Sequence, residues 1–426
     1  MSELGLAVIV AFVVLTLLRV PVFVALLAPS TVYVFATGRP VLFPILRMVR
    51  TLDSFTLLAI PLFIYIGSLM NHGKITEKMF DFADSLVGHV TGGLAQVNII
   101  TSLIFSGLSG SALADIGGVG RVLIESMEEA GYESDYAAAL TSASATIGPI
   151  FPPSIPLILF GIIAEVSVLR LLLAGAVPAL VTTAFLMAGT AVLAARRGFP
   201  GGGARAALGV IVRSFVVVLP ALFAPIVLIY GMLGGFFSPT EAAGVTVFYV
   251  LLINSVVYRI LDFGYVWRAA KETTETSGTV ILILAAAALF SFVMSVEQID
   301  TLFAEALFSI SDSTIIVLLL VNVVLLVIGL FLDPVAALVM MTPIVFPTLV
   351  EAGVNPIHIG VIMVFNLMLG LLTPPLGLSV YLSSNIADAP VSSVFNEVRP
   401  YWLFLAGALL VITYVPQLSL SILEFV

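Results

Sequence analysis

The second half of this chain repeats the first at a fixed spacing of 222 residues. Gly107-Leu108 recurs as Gly329-Leu330, and Glu129-Ala130-Gly131 recurs as Glu351-Ala352-Gly353. Gly148 recurs as Gly370, and Pro152-Pro153 as Pro374-Pro375, with no gap needed. Leu62-Phe63 and Leu289-Phe290 extend the match after a small gap. One such match arises by chance, but the whole set in register does not. Each copy also carries Pro-Pro and Gly inside apolar sequence, where proline removes a helix donor and clashes with the preceding turn. The chain must therefore build two equivalent halves, each with interrupted helices.

The medium around those helices is lipid. Hydrophobic residues make up 61% of the chain and charged residues 10%, with a mean hydropathy of +1.22. Soluble domains are about 45–50% apolar and about 25% charged. At roughly 20 residues per spanning helix, 426 residues have room for about a dozen spans and no separate soluble domain. The chain has no cysteine, which excludes thiolate metal sites and cysteine nucleophiles. A net charge of −9 argues against nucleic acid as a partner. The first apolar run follows Met1 with no basic region and no small-residue cleavage site, so it is expected to be retained.

Apolar runs cover Leu4–Leu18, Val20–Ala36 and Ser54–Met70. Ile75–Val87 is amphipathic and reads as an interfacial arm. Gly92–Ser126 is apolar but interrupted at Ser106-Gly107-Leu108-Ser109-Gly110-Ser111, and Ala137–Glu165 is interrupted at Gly148–Pro153. Leu169–Ala195 spans and leads to a basic linker from Arg196 to Arg213. Phe215–Leu233, Thr240–Tyr258 and Gly278–Val296 span, with the polar stretch Arg259–Ser277 between the last two. Thr314–Val350 breaks at Asp333-Pro334, Ile357–Ile386 breaks at Thr373-Pro374-Pro375, and Tyr401–Ile422 closes the sequence. The positive-inside rule places the Arg196–Arg213 linker, Lys74, Lys78 and the Arg259/Arg268/Lys271 segment in the cytoplasm, and leaves Arg39, Arg47 and Arg50 outside against it.

An odd number of crossings between the copies makes the repeat inverted. Paired broken helices in inverted repeats mark secondary transporters, with the site near mid-membrane. A break in lipid leaves backbone N–H and C=O groups without partners, at a cost of several kcal/mol each on the order of magnitude. A cation satisfies the carbonyls, and an anion satisfies the N–H groups at a half-helix N-terminus. Each half offers a hairpin tip, Ser109-Gly110-Ser111 or Asp333-Pro334, and a discontinuous span, Gly148–Pro153 or Gly370–Pro375. A cage of hard oxygens there suits a cation such as sodium, by the reasoning that gives calcium and magnesium their oxygen ligands. The fold class expected is an all-α integral membrane protein, an inverted-repeat transporter with two re-entrant hairpins and two discontinuous helices. Residues 91–168 and 277–390 hold the hairpins and broken helices. Residues 1–90 and 169–276 supply scaffold helices and interfacial arms, and 391–426 a C-terminal helix.

At these residues the sequence resembles a known family. Ser106–Ala112 followed by Asp115, Gly148–Ser154, Gly370–Pro375, and Ile60-Pro61-Leu62-Phe63 with Leu69-Met70-Asn71 are similar to the large membrane subunit of tripartite ATP-independent periplasmic (TRAP) transporters. The resemblance covers nearly the whole chain. It implies an elevator-type transporter in which residues 91–168 and 277–390 form the transport domain, together with sodium coupling, a small membrane partner of about four spans and a soluble periplasmic binding protein. It also implies an organic-acid substrate such as a C4-dicarboxylate or sialic acid, and a bacterial or archaeal inner membrane. By the resemblance, a first sodium site carries over to Ser109, Gly148, Phe151 and Pro153, and a second to Asp333, Gly370, Thr373 and Pro375. The substrate carboxylate is expected near Ser109, Gly110, Ser111 and Thr373. Ser109 shifted by 222 falls on Phe331 rather than Asp333, so the tips match less closely than the breaks.

Other residues carry two readings. Asp333, a carboxylate in an apolar run, reads as functional or as an N-cap before proline. Asp115 reads equally as cap or functional group. Asn98 and Asn366 read as polar links between helices. His72, His89 and His358 have no metal spacing, and Trp267 and Trp402 read as interfacial anchors. Gly107-Leu108-Ser109-Gly110 also fits the Gly-x-Ser-Gly pattern of an intramembrane serine protease, but a serine nucleophile needs a base within reach and His358 starts a different span. A passive channel is the third alternative, and it predicts flux without a sodium gradient. The expectation is a carrier, not an enzyme.

Overall fold

The computed structural model describes residues 2–71, 73–199 and 204–425. His72 and the middle of the basic linker lie outside the described residues. Helices joined by turns account for the regular structure, and no strand occurs among the described residues.

The first half opens with α1 (Glu3–Leu17) and α2 (Val22–Ala36). The amphipathic α3 (Phe43–Leu52) follows, bent by 64° against the segment that ends in α4 (Ala59–Met70). The arm is α5 (Gly73–Val87). A hairpin follows: α6 (Gly93–Ser109) rises to the tip, and α7 (Ala112–Asp115) returns through a π-turn (Ile116–Gly120) into α8 (Arg121–Glu129). The broken helix is α9 (Ser134–Ala145) and α10 (Ile155–Ile163), followed by α11 (Val168–Arg197). The second half has α12 (Leu208–Leu233), α13 (Pro239–Val256), α14 (Phe263–Val296) and the arm α15 (Ile299–Ile310). Its hairpin is α16 (Thr314–Gly329) and α17 (Pro334–Glu351), and its broken helix α18 (Pro356–Gly370) and α19 (Leu378–Ile386). Helix α20 (Val391–Tyr414) and the short α21 (Gln417–Leu420) end it.

The helix ends reproduce the sequence repeat. The hairpins finish at Glu129 and Glu351 and the broken helices begin at Ser134 and Pro356, each pair 222 residues apart. Between them Gly131 and Gly353 turn the chain with φ of 87° and 81°, a conformation that glycine adopts without a Cβ penalty. Both Pro-Pro peptides, Pro152-Pro153 and Pro374-Pro375, are cis.

The copies are inverted. The hydroxyl of Tyr265, near the start of α14, donates to the Leu69 carbonyl at the end of α4, 2.6 Å away, so α14 begins beside the arm α5. The arm α5 shares a crevice with linker residues Ala204 and Arg213. Helix α14 is 34 residues long. At 1.5 Å per residue it measures about 51 Å and crosses a hydrocarbon core of about 30 Å. The arm α15 therefore leaves from the opposite face, and the two hairpins enter from opposite sides.

Two sequence expectations change. Among the described residues six helices are long and apolar enough to cross a membrane, or seven if the bent α3–α4 segment counts as one span. Five further apolar helices, Glu3–Leu17, Val22–Ala36, Gly93–Ser109, Thr314–Gly329 and Pro356–Gly370, are shorter, and the last three are hairpin arms or half-helices. The polar stretch Arg259–Ser277 is no separate arm either. From Phe263 it forms the first turns of α14, where Lys271 and Glu275 pair one turn apart, and the second arm is α15.

Helices from the two halves are tied together around the breaks. Ser142 on α9 and Ser383 on α19 share a hydrogen bond of 2.6 Å, as do Tyr136 on α9 and Tyr401 on α20. Arg197 at the end of α11 pairs with Glu397 on α20 at 2.6 Å. Within each half a polar rung joins the hairpin to the broken helix. Asn98 bonds Thr141 and Ser144 at 2.7 and 2.8 Å, and Asn366 donates to Asn322 at 2.7 Å. Asn98 and Asn366 are thus links between helices, as expected.

Candidate functional site

The first hairpin turns at Gly110, whose φ of 61° needs glycine. A Cβ there would stand 2.2 Å from the Pro153 carbonyl oxygen, so the tip rests directly on the main chain of the first break. Ser111 caps the returning arm by accepting from the Ala114 N–H at 3.4 Å. The Ser109 hydroxyl donates to one carboxylate oxygen of Asp115. The other oxygen, Oδ2, has no hydrogen-bond partner among the described residues, and Asp115 is only 1% exposed. It faces Gly148, where a Cβ would lie 2.5 Å from it. The absent side chain at Gly148 leaves the space this carboxylate occupies. Asp115 is no cap, since Ser111 has that role.

Residues 146–154 connect the two halves of the first broken helix. The Ser154 hydroxyl donates to the Pro149 carbonyl and accepts from the Leu157 N–H, which closes α10 at its N-terminus. Phe151 turns its ring onto Gly107 of the hairpin.

The second tip is built on Asp333. Its Oδ1 accepts from the N–H groups of Val335 and Ala336 at 2.9 and 3.3 Å, so Asp333 is the N-cap of α17. Ser111 plus 222 is Asp333: the two caps are the true equivalents, and the tips match as closely as the breaks once counted from the cap. Gly370 meets Gly329 backbone to backbone, with a Gly370 Cβ position 2.4 Å from the Gly329 carbonyl oxygen. Thr373 lies in the second break. Its hydroxyl donates to the Leu369 carbonyl at 2.7 Å and accepts from the Trp402 indole N–H at 3.0 Å. Trp402 therefore bonds to the break rather than standing only as an interfacial anchor.

Both tips border one water-accessible space. A cavity of about 790 Å³ is bounded by Ser109 and Ser111, by Asp333, and by Ile64, Glu272 and Glu275 from α4 and α14. A smaller one of about 90 Å³ continues it between Gly110, Pro149, Ile155, Asp333 and Leu371. Ser109, Gly110, Ser111 and Asp333 thus converge on the cavity. Gly148, Phe151 and Pro153 gather behind the first tip. Gly370 and Thr373 sit in and beside the second break, and Pro375 is exposed there. His358 does not approach Ser109. Its ring nitrogens lie 3.2 Å from the Ser419 hydroxyl and 3.1 Å from the Thr413 carbonyl. Sequence reasoning had no means of joining Trp402 to Thr373, because the two are 29 residues apart, one on α20 and the other in the break.

An inverted pair of hairpins meeting two broken helices defines a multi-pass membrane carrier. Residues 9–418 match the family described as the tripartite ATP-independent periplasmic transporter, DctM component. The chain belongs to this family, the large permease subunits of TRAP transporters. It is 39% identical to the sialic acid TRAP transporter large permease protein SiaM of Vibrio cholerae, over 89% of this chain and 88% of that one. It is 38% identical to the sialic acid permease SiaT of Haemophilus influenzae, covering 87% of this chain and 60% of that longer protein. The fold is also that of the YdaH transporter of Alcanivorax borkumensis, with a TM-score of 0.61 at 15% identity over 86% of each chain. The chain is accordingly a multi-pass protein of the inner membrane, and its relatives are permease subunits, not enzymes.

Proposed function

We propose that this permease carries an organic acid inward by sodium symport. It works with a small membrane subunit of about four spans and a soluble periplasmic binding protein. The two tips and two breaks slide as a transport domain, elevator-fashion, against the scaffold helices of residues 1–90 and 169–276. The observation that supports this most directly is the buried Asp115 carboxylate, with one oxygen unpartnered, between the first tip and Gly148. A buried carboxylate oxygen left unpaired inside the membrane costs several kcal/mol on the order of magnitude, and a cation relieves it.

The donor set fits sodium, a hard cation that takes oxygen ligands. In the first half, main-chain oxygens of Ser109, Gly148, Phe151 and Pro153 would hold one ion, with Asp115 supplying charge. In the second, Asp333, Gly370, Thr373 and Pro375 would hold another. The substrate carboxylate would rest against Gly110, Ser111 and the N-termini of α7, α10 and α17. The carried acid is of the class named for the relatives, such as sialic acid or a C4-dicarboxylate. The test is reconstitution with the small subunit and binding protein. Organic-acid uptake is expected with an inward sodium gradient, and it should collapse when choline replaces sodium. Uptake indifferent to that exchange would end the symport reading, and flux without any gradient would favour a channel.

A further inference from the structure

The two breaks share a motif but not their surroundings. Position 373 holds threonine where the first half has Phe151, and position 402 holds tryptophan where the first half has Leu180. Phe151 fixes its own break by packing its ring on the hairpin at Gly107. Thr373 cannot do so. Its hydroxyl instead uses both of its roles locally, donating to Leu369 and accepting from Trp402. A hydroxyl has one hydrogen to give, and here that hydrogen is committed. What Thr373 has left to offer a cation is one lone pair of that hydroxyl and its main-chain carbonyl, and the direction of both follows from how the side chain is held. Pro374 and Pro375 next to it are exposed, so burial does not hold this break as it holds the first.

We propose that Trp402 is a positioning residue for a cation at the second break: its indole N–H fixes the Thr373 side chain and thereby aims the Thr373 carbonyl. This rests on the sodium reading above. It assigns to the C-terminal helix α20 a direct part in setting sodium affinity, which the first half does not share.

The purified full chain tests this through the concentration of sodium chloride, exchanged against choline chloride at constant ionic strength, that half-maximally raises its melting temperature. Losing one hydrogen bond that orients a ligand should shift that midpoint about three- to tenfold. Trp402→Phe keeps the ring and removes the donor, so it should raise the midpoint by that factor. Thr373→Val should do the same, Thr373→Ser should restore the wild-type value, and the double variant Trp402→Phe with Thr373→Val should go no further than either alone. A packing role alone would lower the melting temperature without moving the midpoint. An unchanged midpoint in Trp402→Phe overturns the proposal, and if that variant does not fold, an unchanged midpoint in Thr373→Val does so. A wild-type chain that sodium stabilises no better than choline would instead sink the sodium reading itself.

Discussion

Residues 146–154 of the first break are buried, with Phe151 alone partly open, whereas Pro374 and Pro375 of the second stand exposed. Both breaks are made by the same cis Pro-Pro pair and the same preceding glycine, 222 residues apart. The first is pressed between hairpin and core, with a buried carboxylate behind it. The second is tethered by hydrogen bonds from α18 and α20, with its aspartate out on the tip as a cap. Equal motifs therefore produce equal backbone events, while the groups around them diverge. A repeat locates a site twice without assigning it the same chemistry twice.

Glycine replacements at the first tip and the second break should have the largest effect on this comparison. Gly110→Ala places a methyl 2.2 Å from the Pro153 carbonyl oxygen at a positive φ, and Gly370→Ala places one 2.4 Å from the Gly329 carbonyl oxygen. Backbone cannot give way as a side chain can, so each should cost about 3 kcal/mol or more. In Gly329→Ala the nearest atom is 3.3 Å away, and the cost should stay near 1 kcal/mol. Thermal melting in detergent reads all three. Equal losses at 329 and 370 would show that the two backbones do not meet as described.

Next come the carboxylates. Asp115→Asn keeps the Ser109 contact and removes the charge, so sodium-driven uptake should fall about ten- to a hundredfold with the melting temperature nearly unchanged. Asp333→Ala loses a cap as well, about 1 kcal/mol of stability, and should still reduce uptake more than folding. Transport at the wild-type rate would remove the residue concerned from the ion path.

The polar rungs follow. Asn98→Leu and Asn322→Leu should each destabilise by about 1 kcal/mol, since each leaves a partner unsatisfied in a buried place. Unequal losses would show that the rungs are not equivalent. Ser142→Ala should cost least, about 0.5 kcal/mol, by removing the bond to Ser383.

Much of this was legible in the residues. The Pro-Pro pairs, the paired glycines and the amphipathic Ile75–Val87 each declare their local conformation, so the repeat, its breaks and the helix over Gly73–Val87 could be placed. The polar residues 259–277 misled because charge in sequence marks exposure to water, and a long helix standing clear of the bilayer meets water as a loop does. Counting from Ser109 misses Asp333, because the cap is set by which side chain reaches the free N–H groups, and that is Ser111. The duty of Asp115 depended on the path of the hairpin over Gly148, and the reach of Trp402 on how α20 packs. Neither is a short-range property.

The bonds from Ser142 to Ser383 and from Tyr136 to Tyr401 have a mechanical consequence. They stitch a strut of one half to a strut of the other in a place where no water stands ready to replace a broken link. The two breaks cannot shear past one another cheaply, so a displacement begun at either must drag its twin along like opposite jaws of a single clamp.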